Sequence, residues 1–164
     1  MKVGILSDTH GAIGRGLRAL ELLLQQNVEV VLHCGDIGSS EMLDELATLC
    51  EAHRVPFHCV LGNVDGPELR HYRATPTATT WGEQADFELD GKRICIMHGH
   101  DRIGLSHAIA GGQFDYVFTG HTHQAAEHRE GRTRVINPGA VYRAHPPSVA
   151  VLDTATDHLE YFYP

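Results

Sequence analysis

VGILSDTH, residues 3–10, decides how this chain is to be read: the apolar run Val3–Leu6 stops at Ser7 and leads directly to Asp8, Thr9 and His10. So short a run, apolar throughout, suits a strand buried on both faces of a sheet. Asp and His two residues apart at its end can turn to one side, and both are ligand types for divalent metals. The same plan recurs outward along the chain. Val28–Leu32 leads to Gly35-Asp36, Phe57–Leu61 to Gly62-Asn63, Arg93–Met97 to His98-Gly99-His100, and Tyr116–Thr119 to Gly120-His121-Thr122-His123. Glycine beside each donor lets the backbone turn sharply where a strand ends. A chain that repeatedly places Asp, Asn and His there builds a metal site from separate pieces of a sheet.

The intervening segments set the fold class. After a Gly-rich turn (Gly11, Gly14, Gly16), apolar residues at 17, 20, 23 and 24 fit one helical face. Ser39 or Ser40 caps a second helix with Leu43, Leu46, Ala47 and Cys50 along one side. This β-α-β-α-β order predicts a parallel sheet covered on both faces. The second half is richer in strands. Asp86–Leu89, Asp90-Gly91 and Arg93–Met97 form a hairpin pattern, Arg102–Ala110 a short helix, and Gln124–His128, Thr133–Ile136, Val149–Leu152 and Leu159–Tyr163 short strands. The expectation is an α/β fold with two packed β-sheets flanked by helices, an α/β/β/α sandwich, in a single domain over residues 1–164. Val64–Ala85, with Pro67, Pro76 and the only Trp, reads as an irregular loop, either over the site mouth or on the surface with no substrate role.

Composition narrows the function. The chain has 164 residues, 42% of them apolar, which suits a globular domain and excludes a disordered one. Its net charge of −8 argues against stable nucleic-acid binding, which needs a basic patch. A phosphorylated small substrate stays compatible, because bound cations reverse the local sign. Cys34, Cys50, Cys59 and Cys95 show no CxxC spacing and read as buried free thiols of a reducing compartment. No apolar run spans a bilayer, and the first is too short for a signal peptide, so no membrane partner and a cytoplasmic location are expected. A homo-oligomer is compatible with the sequence.

Asp8, His10, Asp36, Asn63, His98, His121 and His123 suffice for two adjacent divalent metals with positions left for water and substrate. Such a pair, about 3.5–4 Å apart, lowers the pKa of a bridging water and neutralises charge on a phosphoryl group. Mixed N/O donors admit manganese, the expected ion, and also iron, zinc, nickel or cobalt.

The series D-x-H, G-D, G-N, H and G-H-x-H, in this order, resembles the calcineurin-like metallophosphoesterase superfamily. Gly62-Asn63-Val64-Asp65 and Asn137-Pro138-Gly139 resemble its small YfcE-like phosphodiesterase branch. The resemblance implies a metal-dependent hydrolase of phosphate esters, diesters above monoesters, acting through a metal-bridging hydroxide. It assigns Asp8, His10, Asp36 and His123 to one metal, and Asp36, Asn63, His98 and His121 to the other, with Asp36 as bridge. The alternatives are a phosphomonoesterase of a small metabolite and a non-catalytic scaffold like the retromer subunit of the superfamily. One departure stands out. Many members carry His after the Asn, where it contacts phosphate and protonates the leaving group, and this chain has Val64. His100 is the candidate substitute acid, so Asp36, Asn63 and His100 form the candidate catalytic set. Asp65 is expected to orient a ligand histidine, Arg15 and Arg18 to be solvated or to meet an anion, and His33, His53, His58, His71 and His158 to lie at core edges or on the surface.

Overall fold

A computed structural model describes residues 1–72 and 74–164, with the His71 side chain also outside the description, so the reading of His71 is not addressed. Strands β1 (Lys2–Leu6), β2 (Val30–His33) and β3 (Phe57–Cys59) run parallel, joined by helices α1 (Ile13–Gln25) and α2 (Ser40–Ala52). Ser39 caps α2 by accepting the Met42 N–H at 3.1 Å. The helix begins where that side chain satisfies an otherwise unpaired donor. The hairpin of β5 (Gln84–Leu89) and β6 (Lys92–Met97) turns at Asp90-Gly91, with φ of 53° and 70°. Positive φ at both positions gives a turn whose twist matches the strands.

Helix α3 (Arg102–Ala110) follows, capped by Asp101, and then β7 (Tyr116–Phe118), β8 (Ala125–Glu130), β9 (Thr133–Pro138), β10 (Val149–Asp153) and β11 (His158–Phe162). With β4 at Ala78–Thr80, one sheet has the order β11-β10-β1-β2-β3-β4, the other β5-β6-β7-β9-β8. Alternation along the strands builds three apolar layers. Val3, Ile5, Val30 and Leu32 meet Ile94, Ile96, Tyr116 and Phe118 between the sheets. Leu6 and Val31 pack with the buried faces of α1 and α2, while Cys95, Met97 and Val117 pack with Ile109 and Leu105 of α3. The result is helices, sheet, sheet, helix, as the patterning predicts.

Two readings change. The segment Val64–Ala85 is not wholly irregular: Pro67–His71 forms a 3₁₀ turn, and Ala78–Thr80 is strand β4, parallel to β3 at the sheet edge. Three residues are too few for a periodic signal, and the pairing with β3 is what makes them a strand. Gly14 and Gly16 belong to α1 rather than to the turn before it. A Cβ at Gly16 would stand 2.9 Å from the Met42 sulfur, so this glycine lets α1 and α2 approach. All four cysteines are free and buried, and burial alone pushes the Cys50 thiol up to about 12.

Candidate metal centre

The five motifs meet at one end of the two sheets. Asp8, His10, Asp36, His121 and His123 all have left-handed backbones, with φ between 47° and 68°. An L residue there costs roughly 1–2 kcal/mol, and such positions persist only where surroundings enforce them. Here neighbouring loops do so. The N–H groups of Asp8, His10 and Gly11 donate to the carbonyls of Gly35, Asp36 and Ile37 at 2.8–3.0 Å. The His121 N–H donates to Asp8 Oδ2 at 3.2 Å, and the Gly120 N–H to the His98 carbonyl at 2.9 Å. Glycine acts in two ways beside these donors. Gly35 has φ 96°, whereas Gly62 is required for space, since a Cβ there would collide with the Asp36 carboxylate.

The side chains form two compact groups, Asp8–His10–His123 and Asp8–Asp36–His98, whose candidate ligand atoms lie within 4.8 Å of one another. Asp8 Oδ1 is 3.2 Å from His123 Nε2 and 3.8 Å from His10 Nε2. Asp36 Oδ2 is 3.2 Å from His98 Nε2 and 3.7 Å from His10 Nε2. Asp8 is common to both groups, and Asp36 also faces both halves. The His121 ring stands 5.1 Å from that of His98 and is exposed. Asn63 is exposed too, on the turn whose Val64 N–H donates to Asp36 Oδ1 at 3.1 Å. The His100 ring lies 5.7 Å from His98 and 6.4 Å from His121.

Asp8 Oδ1, His10 Nε2 and His98 Nε2 are buried without a hydrogen-bond partner among the described residues. Folded chains rarely leave buried polar atoms unpaired, so several converging on one point mark a place for a cation. The donor chemistry fits: two carboxylates and imidazoles whose free nitrogens face inward. His98 Nδ1 bonds the Cys34 carbonyl at 2.8 Å, which orients the ring and directs Nε2 at the carboxylates. The electrostatics ask for positive charge. Burial opposes ionisation of Asp36, yet contacts with His98, the Val64 N–H and His10 hold its carboxyl below the usual range. Burial also opposes charge on His98, and Asp36 and Asp8 overcome it to raise the imidazole. A separate cavity of about 700 Å³, lined by Arg70, Tyr72 and Thr residues beside β4, contains none of these donors.

Two supporting residues differ from their sequence reading. His33 is not at a core edge: it is fully buried, with Nδ1 accepting the Gly35 N–H at 3.2 Å and Nε2 donating to Thr9 Oγ1 at 3.0 Å. Thr9 Oγ1 donates onward to the Ile37 carbonyl at 3.2 Å, so a neutral His33 braces both Asp loops. Its one sequence signal is a polar residue inside an otherwise apolar strand. Asp65 orients no histidine and instead accepts the N–H groups of Gly38 and Gly62, each at 2.8 Å. Asn137 lies beside the site, donating to the Gly120 carbonyl at 2.8 Å and to Thr122 Oγ1 at 3.0 Å. It thereby fixes the loop of His121 and His123.

Comparison with known proteins agrees with this arrangement. The description of the calcineurin-like phosphoesterase superfamily domain matches residues 1–157. A phosphodiesterase of Methanocaldococcus jannaschii is 33% identical over 159 residues, covering 94% of this chain and 93% of that protein. A solved archaeal phosphodiesterase superposes with TM-score 0.86 at 30% identity, covering both chains completely (100% each). YfcE, a phosphoesterase from E. coli, shares the fold with TM-score 0.66 at 22% identity over 99% of each chain. The donor cluster, the two-sheet frame that carries it and these likenesses together place the chain in the calcineurin-like phosphoesterase superfamily.

Proposed function

We propose that this chain is a single-domain, metal-dependent phosphodiesterase with a dinuclear centre. The observation that carries the reading is the convergence of unpaired buried donors, Asp8 Oδ1, His10 Nε2 and His98 Nε2, around the Asp36 carboxylate. Asp8, His10, Asp36 and His123 would hold one divalent ion, and Asp36, Asn63, His98 and His121 the other. Asp8, common to both compact groups, stands between them beside Asp36. Bound there, divalent ions supply an activated water and positive charge against the phosphoryl oxygens. Manganese fits the mixed N/O set.

The chain's own residues favour diesters. Val64, which is exposed, follows Asn63 and offers no proton to a departing alkoxide. His100 is the nearest imidazole outside the proposed ligand set to both His98 and His121, and its Nδ1 is buried without a partner among the described residues. It is the residue placed to protonate a leaving group. The phosphodiesterase names of the archaeal relatives support the same choice. A net charge of −8 favours small substrates over nucleic-acid polymers. No helix among the described residues is long and apolar enough to cross a membrane, which accords with a cytoplasmic enzyme.

The test is hydrolysis of bis(p-nitrophenyl) phosphate beside p-nitrophenyl phosphate by protein stripped with chelator and reloaded with manganese. Diester cleavage that requires metal and is lost in Asp36→Asn is the expected result. Monoester turnover exceeding diester turnover overturns the preference. Turnover of neither ester, with about two manganese ions bound per chain, overturns the hydrolase reading for these esters.

A further inference from the structure

Arg15, in the first turn of α1, and Arg143, in the segment between β9 and β10, are remote in sequence yet lie over one ring, that of Tyr142. Their guanidinium carbons are 5.8 Å and 5.3 Å from its centroid, respectively. The same ring stands 6.0 Å from the His10 imidazole, and the Tyr142 N–H donates to the Asp8 carbonyl at 3.0 Å. One aromatic ring therefore separates the two cations from the metal centre. Arg70, Arg93, Arg129, Arg132 and Arg134 each pair with a carboxylate. Among the described residues, Arg15 and Arg143 enter no such pair, although carboxylates outnumber cations in the chain. Both are exposed, and Tyr142 is half-buried. Arg143 is held at φ 59°, a costly backbone that sets where its side chain leaves the loop.

We propose that Arg15 and Arg143, presented over Tyr142, form a second anion subsite, and that the preferred substrates are phosphodiesters carrying a further phosphate or carboxylate group beyond the phosphorus that is cleaved. The proposal rests on the phosphodiesterase reading above. A guanidinium binds a phosphate or carboxylate through two parallel N–H bonds, and stacking over an aromatic face limits the orientations it must give up on binding. Two such groups beside one ring select an anion at a fixed offset from the metals. A simple diester leaves them unused.

The experiment compares p-nitrophenyl thymidine 5′-phosphate with its 3′-phosphorylated and 3′-succinylated counterparts, using the manganese-loaded protein. Calorimetry of thymidine 3′,5′-bisphosphate against thymidine 5′-monophosphate measures the same preference without turnover. The added 3′-phosphate should raise kcat/KM about tenfold, mainly through KM, and the bisphosphate should bind about tenfold tighter. Arg15→Gln and Arg143→Gln should each remove most of both differences, while Arg143→Lys keeps a part through its point charge. A gain shared by the succinyl ester identifies a general anion site, and a gain confined to phosphate a phosphate site. Equal affinities and equal rates in the wild type overturn the subsite, as do variants that weaken all ligands by the same factor. Loss of the bisphosphate preference in the variants, with no ester hydrolysed by the wild type, would uphold the subsite while removing the phosphodiesterase reading. Hydrolysis without preference would do the reverse.

Discussion

Two polar clusters, one buried throughout and one built on a buried arginine with part-exposed carboxylates, occupy different parts of this molecule and are finished differently. At the metal end, Asp8 Oδ1, His10 Nε2 and His98 Nε2 have no hydrogen-bond partners among the described residues, and their loops hold left-handed residues. Beside the β10–β11 turn, the nearly buried Arg134 guanidinium donates to Glu127 Oε2 at 2.8 Å and to Asp157 Oδ1 at 2.8 Å. Tyr116 Oη also donates to Asp157 Oδ1 at 2.8 Å, joining the second sheet to that turn of the first. The Arg134 cluster satisfies its own charges and so holds the two sheets together. The metal cluster leaves its charges for something else to satisfy. Asp8, Asp36 and His98 are almost wholly buried, whereas Glu127 and Asp157 keep part of their side chains in water, so the metal cluster carries the larger desolvation cost with fewer partners.

The largest expected contrast comes from removing one charge in each cluster. Asp8→Asn should lower kcat/KM for bis(p-nitrophenyl) phosphate at least ~10³-fold, on the scale of losing one catalytic electrostatic contact. It should not lower the melting temperature of the chelator-treated protein, because it relieves two carboxylates that face each other without a cation. A collapse of apo stability would show that Asp8 is a structural residue. Arg134→Ala should do the opposite. It leaves Asp157 to Arg129 and Tyr116 and takes the guanidinium from Glu127, and because both carboxylates are part-exposed it costs about 1–2 kcal/mol in chemical denaturation. A change under ~0.5 kcal/mol would remove the distinction between the clusters.

A smaller effect reads the His33 brace. Burial, with the nearby His98 charge, lowers the His33 pKa to about 3, against 6.5 in the unfolded chain. The folded protein keeps it neutral while the unfolded chain takes up a proton, so its contribution is complete above pH 6.5 and is lost as pH falls towards 3. The slope is about 1.4 kcal/mol per pH unit. Denaturation between pH 6.5 and 4 should show a shallower acid limb in His33→Gln than in the wild type. Parallel limbs would place the proton-linked destabilisation elsewhere. The smallest effect concerns Val64. Val64→His should raise the monoester-to-diester rate ratio several-fold, less than the ~1.4 kcal/mol that a tenfold change represents. An unchanged ratio in folded, metal-loaded protein would show that the missing imidazole does not limit monoester cleavage.

Much of this frame can be read without coordinates because its signals are local. The boundaries of α3, Arg102–Ala110, match the sequence reading, and the structure adds the Asp101 cap that accepts the Ile103 and Gly104 N–H groups. The hairpin at Asp90-Gly91 follows from residues that tolerate positive φ. The five motifs announce their donors by recurring in order at successive strand ends, since any one of them alone reads as an ordinary turn. Arg134 has no comparable signal. It sits in β9, and Glu127 and Asp157 reach it from β8 and the β10–β11 turn.

What the sequence determined by itself is therefore the alternation of strands and helices, the two-sheet class and the set of candidate metal donors. These depend on periodicity and turn chemistry within a few residues. Only the tertiary structure decided that Asp8 lies in both donor groups, that His33 joins two loops, and that Arg15 and Arg143 share the Tyr142 ring. Those relations link residues as far apart as Asp8 and His123, whose donor atoms are 3.2 Å apart. Their geometry is set by how two twisted sheets pack, and that packing is distributed over the apolar layer between them rather than written beside any one residue.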